Sequence, residues 1–396
     1  MHVEKHLQKK AMSQTDDFKD IRPFTDSEAR KVFPVITSSP YLMKIMEYAY
    51  PGISEKETAN LVCSCGTVNE FIEKVTYPAV TKVLAKTTDS ITSSGFGKLE
   101  KGGSYLFLSN HRDIVLDSVI LNLKLLENDM PFAQSAIGDN LVPDEGLKAL
   151  ASLSKNFVVY RGLPARETLE NSRRLSAYIH HVMDSRKESV WLAQREGRAK
   201  DGNDNTQSGV IKMLCMAADK GENVVDCLKK LRIVPMAISY EYDPNDAYKL
   251  RGLIANEKHQ KYVKCKGEDL SSILTGITGR KGHVNISVGN ILNDELDPLR
   301  DLGNPVKQIR AVCSIVDEAI HALYKPFKTN YIACDLLAGK EKYYSEGYYD
   351  AADRQAFVAR ISDSIENMGL PADDIPLARE KMFSMYAAPV LNKEKK

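Results

Sequence analysis

The stretch Leu106-Phe107-Leu108-Ser109-Asn110-His111-Arg112-Asp113-Ile114-Val115-Leu116-Asp117 decides the fold. An apolar run of strand length ends in four polar residues, and an apolar segment with helical spacing follows over Ser118–Leu126. The spacing therefore predicts a strand that delivers Asn-His-Arg-Asp to its carboxyl end, with a helix just beyond. In open α/β sheets, ligands bind at that edge. A histidine there, with an acid a turn or so later, forms a His–carboxylate dyad. The carboxylate orients the ring and stabilises its protonated form, and the other ring nitrogen takes a proton. The ordinary histidine pKa of ~6.5 suits base chemistry near neutrality. A second reading of the same spacing is a helix-capping His111 paired with Asp113.

Outward from this segment, strand and helix patterns alternate. Strands are expected at Tyr105–Leu108, Phe157–Tyr160, Val190–Ala193, Ile233–Ile238 and His283–Val288. Helices are expected at Ser118–Leu126, 166–185 and Val210–Ala218. Such alternation predicts an α/β core with a mostly parallel central sheet and flanking helices. Helical signals also occupy both flanks. Ser39-Pro40 opens a helix that Pro51-Gly52 closes, Ser54/Glu57 and Thr67/Glu70 have capping-box spacing, and Pro78 predicts a kink. Later helices are expected at Val306–Leu323, 353–368 and 376–388. The predicted organisation is a polar arm (1–34) and helical region within 1–92, a core over 93–300, and a helical extension over 301–396. The terminal helices are read as packed elements, with a bilayer-resting or lid role as the other reading.

Three further segments bring charge to strand ends. Phe157-Val158-Val159-Tyr160-Arg161-Gly162 ends in an arginine able to grip phosphate in bidentate fashion. Val190-Trp191-Leu192-Ala193-Gln194-Arg195-Glu196-Gly197-Arg198-Ala199-Lys200 places three cations around Glu196, as an anion site or as a solvated turn. Arg232-Ile233-Val234-Pro235-Met236-Ala237-Ile238-Ser239-Tyr240 is an apolar strand containing proline, which predicts either an edge position or a break in pairing there, as the wall of an apolar pocket or as plain core. Gly279-Arg280-Lys281-Gly282 reads as a tight turn before the last strand, with a basic phosphate-holding loop as the other reading.

The bulk properties limit the function classes. A net charge of +1 over 396 residues gives no global drive toward nucleic acid. The 7 cysteines are scattered without a disulfide framework, and Cys63/Cys65 lacks a second ligand pair, so no metal site is expected. There is no secretory leader and no apolar run long enough to span a bilayer. The expectation is a cytoplasmic protein whose membrane contact is peripheral, on the inner face.

Four of these elements, in this order, resemble the glycerolipid acyltransferase family, which includes the glycerol-3-phosphate and 1-acylglycerol-3-phosphate acyltransferases. Its motifs are Asn-His-x4-Asp, a strand ending in Arg, Glu-Gly-(Thr/Gly)-Arg and a Val-Pro strand, and the match spans roughly residues 95–290. Two departures stand out. Five residues separate His111 from Asp117 instead of four, with Asp113 a nearer acid, and Gly197 is followed directly by Arg198.

The resemblance implies that His111 acts as general base with Asp117 as its partner. Backbone N–H groups or Arg112 would stabilise an oxyanion, and Arg161 and Arg198, oriented by Glu196 beside Gly197, would hold an acceptor phosphate. It implies acyl-CoA or an acylated carrier protein as donor and co-substrate, a glycerophosphate or lysolipid acceptor, and neither bound cofactor nor metal. Alternative readings are an amino-acid or other lyso-lipid acceptor, or a lipid-binding scaffold of the same fold that has lost the reaction. No G-x-S-x-G elbow or phosphate-binding G-x-x-x-x-G-K-[ST] loop is present.

Overall fold

The computed structural model describes residues 17–395. The part of the expected polar arm over residues 1–16 lies outside the described residues. In chain order the helices are α1 (Asp26–Ile36), α2 (Pro40–Ala49), α3 (Glu55–Cys63), α4 (Val68–Phe71) and α5 (Tyr77–Thr87). Then follow α6 (Leu116–Glu127), α7 (Glu145–Leu153), α8 (Ala165–Asp184), α9 (Ser208–Leu214), α10 (Val224–Lys230), α11 (Asp246–Glu257) and α12 (Glu268–Thr278). The carboxyl-terminal series is α13 (Asn293–Leu296), α14 (Pro305–Leu323), α15 (Lys328–Ala338), α16 (Lys342–Ser345), α17 (Ala351–Glu366) and α18 (Ile375–Glu394). The strands are β1 (Thr88–Ser94), β2 (Leu106–Ser109), β3 (Gln134–Gly138), β4 (Asn156–Val159), β5 (Val190–Ala193), β6 (Ile233–Tyr240) and β7 (Gly282–Val288).

The strands form one seven-stranded sheet in the order β1-β7-β6-β2-β5-β3-β4. β1 runs parallel to β7, β2 to β6, and β3 to both β4 and β5, whereas β6 and β7 are antiparallel. The fold is thus α/β with a mostly parallel sheet, flanking helices and helical terminal parts. All four residues of β2 and all eight of β6 are buried, which explains their continuous apolar runs.

Several local expectations are met in detail. Pro40 opens α2 at its first position, and Ser54 with Glu57 makes a full capping box on α3. The kink expected at Pro78 is a π turn over Ile72–Thr76, one turn ahead of the residue that lacks an amide proton. Two expectations are corrected. Residues 26–36 are not a loose arm: Thr25 and Glu28 form a capping box, and Ala29, Phe33 and Ile36 are buried. The strand carrying Pro235 is not an edge strand but lies between β7 and β2. The Pro235 carbonyl accepts from the Gly289 amide at 2.8 Å, on the β7 side, and pairing with β7 begins only at Met236–Val288. A residue's N–H and C=O point to the same side of a strand, so the proton that proline lacks is the one that would return a bond to Gly289, and the β6–β7 ladder is interrupted there.

By compactness the chain divides into two units, Met1–Val83 with Phe132–Trp191, and Leu84–Pro131 with Leu192–Lys396. The first holds α1–α4, α7, α8, β3 and β4. Its core includes stacked Phe33 and Phe71, and Tyr178, which packs edge-on against Phe157. The second holds β1, β2, β6, β7, α6 and α9–α18.

Candidate active site

The site is assembled at the carboxyl ends of β2 and β6, within the second unit. Asn110 fixes the two strand ends together: its Oδ1 accepts from the Ile238 amide at 2.8 Å, and its Nδ2 donates to the Ile238 carbonyl at 3.0 Å. His111 follows, with its side chain 13% exposed, and its Nδ1 lies 2.8 Å from Oδ2 of Asp117.

Asp117 sits fully buried in the first turn of α6. Its Oδ2 also accepts from the backbone amides of Arg112 (2.6 Å) and Asp113 (3.0 Å), and its Oδ1 accepts from the Tyr240 hydroxyl at 2.9 Å. Four hydrogen-bonding groups therefore converge on one carboxylate and fix its position against the ring. Burial, and then the charge of Asp117, push the Tyr240 phenol well above its usual value, so it stays protonated and donates.

The nearer acid has a different task. Asp113 Oδ1 accepts from the amides of Val115 (2.9 Å) and Leu116 (2.8 Å), capping the amino end of α6. Burial, and then the neighbouring Asp117, raise the Asp113 pKa. The five-residue interval is accommodated by this cap: the chain turns around Asp113 before α6 begins, and Asp117 is presented to the ring.

Arg112 departs from the expected role. Its guanidinium is buried, donates to Asp204 Oδ2 at 2.6 Å and to the Gly202 carbonyl at 3.3 Å, and lies over the Tyr324 ring. It lines a small cavity of mixed character, with Tyr240, Asp243 and Tyr324 on one hand and Met385 and Pro389 on the other. The buried ion pair makes its side chain a strut of the loop rather than a ligand for an oxyanion. Nor does the Arg112 amide serve an oxyanion, since Asp117 takes it. Lys249 of α11 braces the same loop by donating to the Arg112 carbonyl at 2.9 Å.

The third charged segment reaches His111 directly. The Gln194 amide donates to the Ser109 carbonyl at 2.8 Å, continuing β5 beside β2, and the Ala199 amide donates to the His111 carbonyl at 3.3 Å. Between these two bonds, Gly197 turns the chain with φ +70°, a conformation that suits glycine. Arg198, which follows it, donates through Nη2 to Ser272 Oγ at 3.1 Å, and its buried Nη1 meets no acceptor. Glu196 is exposed, and its amide donates to Gln207 Oε1 at 2.8 Å.

Arg161 belongs to the first unit. It follows β4, and its amide donates to Asp139 Oδ1 at 3.1 Å. Its guanidinium lies against Gly138, where an added Cβ would come within 2.8 Å of Nε.

No family model and no curated protein matches the chain. Among solved structures, the chain is similar to the 1-acyl-sn-glycerophosphate (LPA) acyltransferase PlsC from Thermotoga maritima. That likeness covers 70% of this chain and 95% of that one, at 11% identity and a TM-score of 0.32.

Sequence reasoning missed Tyr240, Asp204 and Lys249. Tyr240 ended a quoted strand, but nothing in a strand pattern says which polar terminal residue faces a carboxylate 123 positions earlier. Asp204 and Lys249 lie in segments without periodicity around them that would mark a buried charge.

Proposed function

We propose that this chain is an acyltransferase that moves a fatty-acyl group from a thioester to a hydroxyl of glycerol-3-phosphate or a lysophospholipid. The observation that carries the reading is the His111–Asp117 pair, with the carboxylate buried and held by three further donors. A carboxylate bonded at Nδ1 keeps that nitrogen protonated and makes Nε2 the base.

In the proposed reaction the acceptor hydroxyl gives its proton to His111 Nε2 as its oxygen attacks the thioester carbonyl. The tetrahedral intermediate collapses, the C–S bond breaks, and the thiolate takes the proton back from His111. Asp117 stabilises the imidazolium without taking the proton itself. General-base action of this kind is worth about 10²–10⁴ in rate. No covalent acyl-enzyme is required, because a thioester is already activated.

The anionic acceptor is supported by Arg198. A guanidinium nitrogen that is buried without an acceptor is costly, on the order of 1–3 kcal/mol or more, and an acceptor phosphate would remove that cost. Arg161 and Glu196 remain candidate acceptor-binding residues only on the strength of the four-motif resemblance. Acyl-CoA or an acylated carrier protein would be the donor. A lipid substrate implies peripheral contact with a membrane surface, and no described helix is long and apolar enough to cross one.

The test is turnover of radiolabelled acyl-CoA and acyl carrier protein against glycerol-3-phosphate, lysophosphatidic acid, a lyso-amino-acid lipid and a neutral glycerol. Transfer to the phosphate-bearing acceptors supports the reading. Transfer confined to the neutral acceptor, or none with any pair, refutes it.

A further inference from the structure

Two strands away from the dyad, the same end of the sheet gathers a second set of titratable side chains. β6 ends at Tyr240, whose hydroxyl serves Asp117, and the next residue is Glu241. Because β7 is antiparallel to β6 and parallel to β1, the amino ends of β7 and β1 arrive at this edge, bringing His283 and Asp89. One ligand atom from each of Asp89, Glu241 and His283 falls within a 4.8 Å group.

We propose that Asp89, Glu241 and His283 bind a first-row divalent cation, zinc foremost. Three independent features support this. First, Glu241 is only 8% exposed, yet its carboxylate makes no salt bridge among the described residues and accepts a hydrogen bond only from the His283 amide, at 2.9 Å. A buried carboxylate is ordinarily paired with a cation or bound to a metal. Lys328, the cation influenced by Glu241, is held by Asp353 at 2.7 Å. Second, the His283 ring is pre-oriented: its Nδ1 lies 2.8 Å from Ser90 Oγ, and the ring stacks on Phe327. Metal-binding imidazoles are typically fixed by such outer contacts. Third, the donor set of two carboxylates and one imidazole suits zinc and its neighbours, whereas magnesium and calcium favour all-oxygen shells.

Zinc–ligand bonds of about 2.0–2.1 Å require the ligand atoms to draw together to roughly 3.3–3.5 Å in a tetrahedral site. Asp89 is exposed and can rotate toward the Glu241 carboxylate and the fixed His283 ring to close that gap. The interaction to be displaced is weak: Arg280 holds Asp89 at 2.7 Å on the surface, where solvent screens the pair. The fourth position would face solvent. Such a cation would clip the polar edge strand β1 to the ends of β6 and β7. Sequence reading did not join these residues, because each comes from a different strand and none lies in a ligand-spaced motif. The site is independent of the acyl-transfer reading.

The test titrates the full-length, chelator-treated protein with zinc by calorimetry and with cobalt by visible absorption. Wild type is expected to bind one equivalent with a nitrogen/oxygen-type cobalt spectrum and to melt at a higher temperature with zinc. His283→Ala and Asp89→Asn, both surface changes, are expected to weaken binding at least about tenfold and to lose the thermal shift. His111→Ala is expected to bind as wild type does, so a failure of the acyl-transfer reading leaves this result unaffected. No binding, equal binding by wild type and His283→Ala, or a thiolate-type spectrum from the cysteines overturns the proposal.

Discussion

At the scale of single residues, the decisive feature is the crowding of donors on Asp117. Asp117→Asn removes the charge and sets an amide group against two backbone N–H groups and a phenol, or turns the ring bond away. Steady-state kinetics of that variant should show kcat lowered about 10²–10⁴-fold. Asp113→Asn retains an oxygen for the Val115 and Leu116 amides, so activity should change little and stability by no more than about 1 kcal/mol. If Asp113→Asn alone impairs turnover, the assignment of partners is wrong. Tyr240→Phe leaves Asp117 Oδ1 without its donor and should cost about 1–3 kcal/mol in denaturant unfolding. Because Tyr240 acts through Asp117, its loss should lower kcat while leaving KM for the acceptor near wild type. The dyad itself was legible in the sequence, because His111 and Asp117 lie in one loop and the first turn of the helix after it. The Asn110–Ile238 and Tyr240–Asp117 bonds were not, since they join residues 128 and 123 positions apart and depend on sheet order.

At the scale of elements, apolar runs were readable and polar ones were not. β2, β4, β5, β6 and β7 have buried faces and hence hydrophobic signatures, and all five expected strands were placed within two residues of their true ends. β1 was read as the tail of a helical region. Its sequence Thr-Asp-Ser-Ile-Thr-Ser-Ser is polar because it lies at the sheet edge with most side chains in water. β3 and helices α7, α10, α11, α12 and α15 were also missed: β3 and α10 are short and α11 and α15 weakly amphipathic, whereas α7 and α12 carry an apolar face that went unread. The basic turn before β7 proves to be a helix stop. Lys281 is buried and donates to the Ile277 and Gly279 carbonyls at 3.0 and 2.7 Å and to Thr87 Oγ1 at 3.2 Å, which closes the end of α12. Burial lowers its pKa from 10.5 to about 8. The folded protein thus releases this proton near pH 8 and the unfolded chain near its ordinary value. Between those limits the unfolded state holds more protons, so stability rises with pH across the window. Urea unfolding at several pH values should show wild type gaining on Lys281→Met from pH 8 upward, and parallel curves would contradict this.

At the scale of the whole molecule, the second unit joins the His111–Asp117 site to its helical extension. α11 packs with α15, α17 and α18 in one apolar cluster that includes Leu250, Ile332, Phe357, Ile361, Met382 and Val390. The same helix sends Lys249 to the Arg112 carbonyl, so the carboxyl-terminal helices brace the loop that carries His111. They are core elements of this unit, which the apolar spacing of Val306–Leu323 foreshadowed and the polar flanks of α15 concealed. Met382→Ala, at a fully buried position, should destabilise by about 2–5 kcal/mol and lower the melting temperature before it touches KM. Everything proposed about the reaction converges on the imidazole of His111. The most direct measurement is acyl transfer from labelled thioester to a phosphate-bearing acceptor by wild type and by His111→Ala, with folding verified by circular dichroism. The account predicts turnover by wild type and a folded variant whose rate is about 10²–10⁴-fold lower or undetectable. A folded His111→Ala protein that transfers acyl groups as fast as wild type would contradict it.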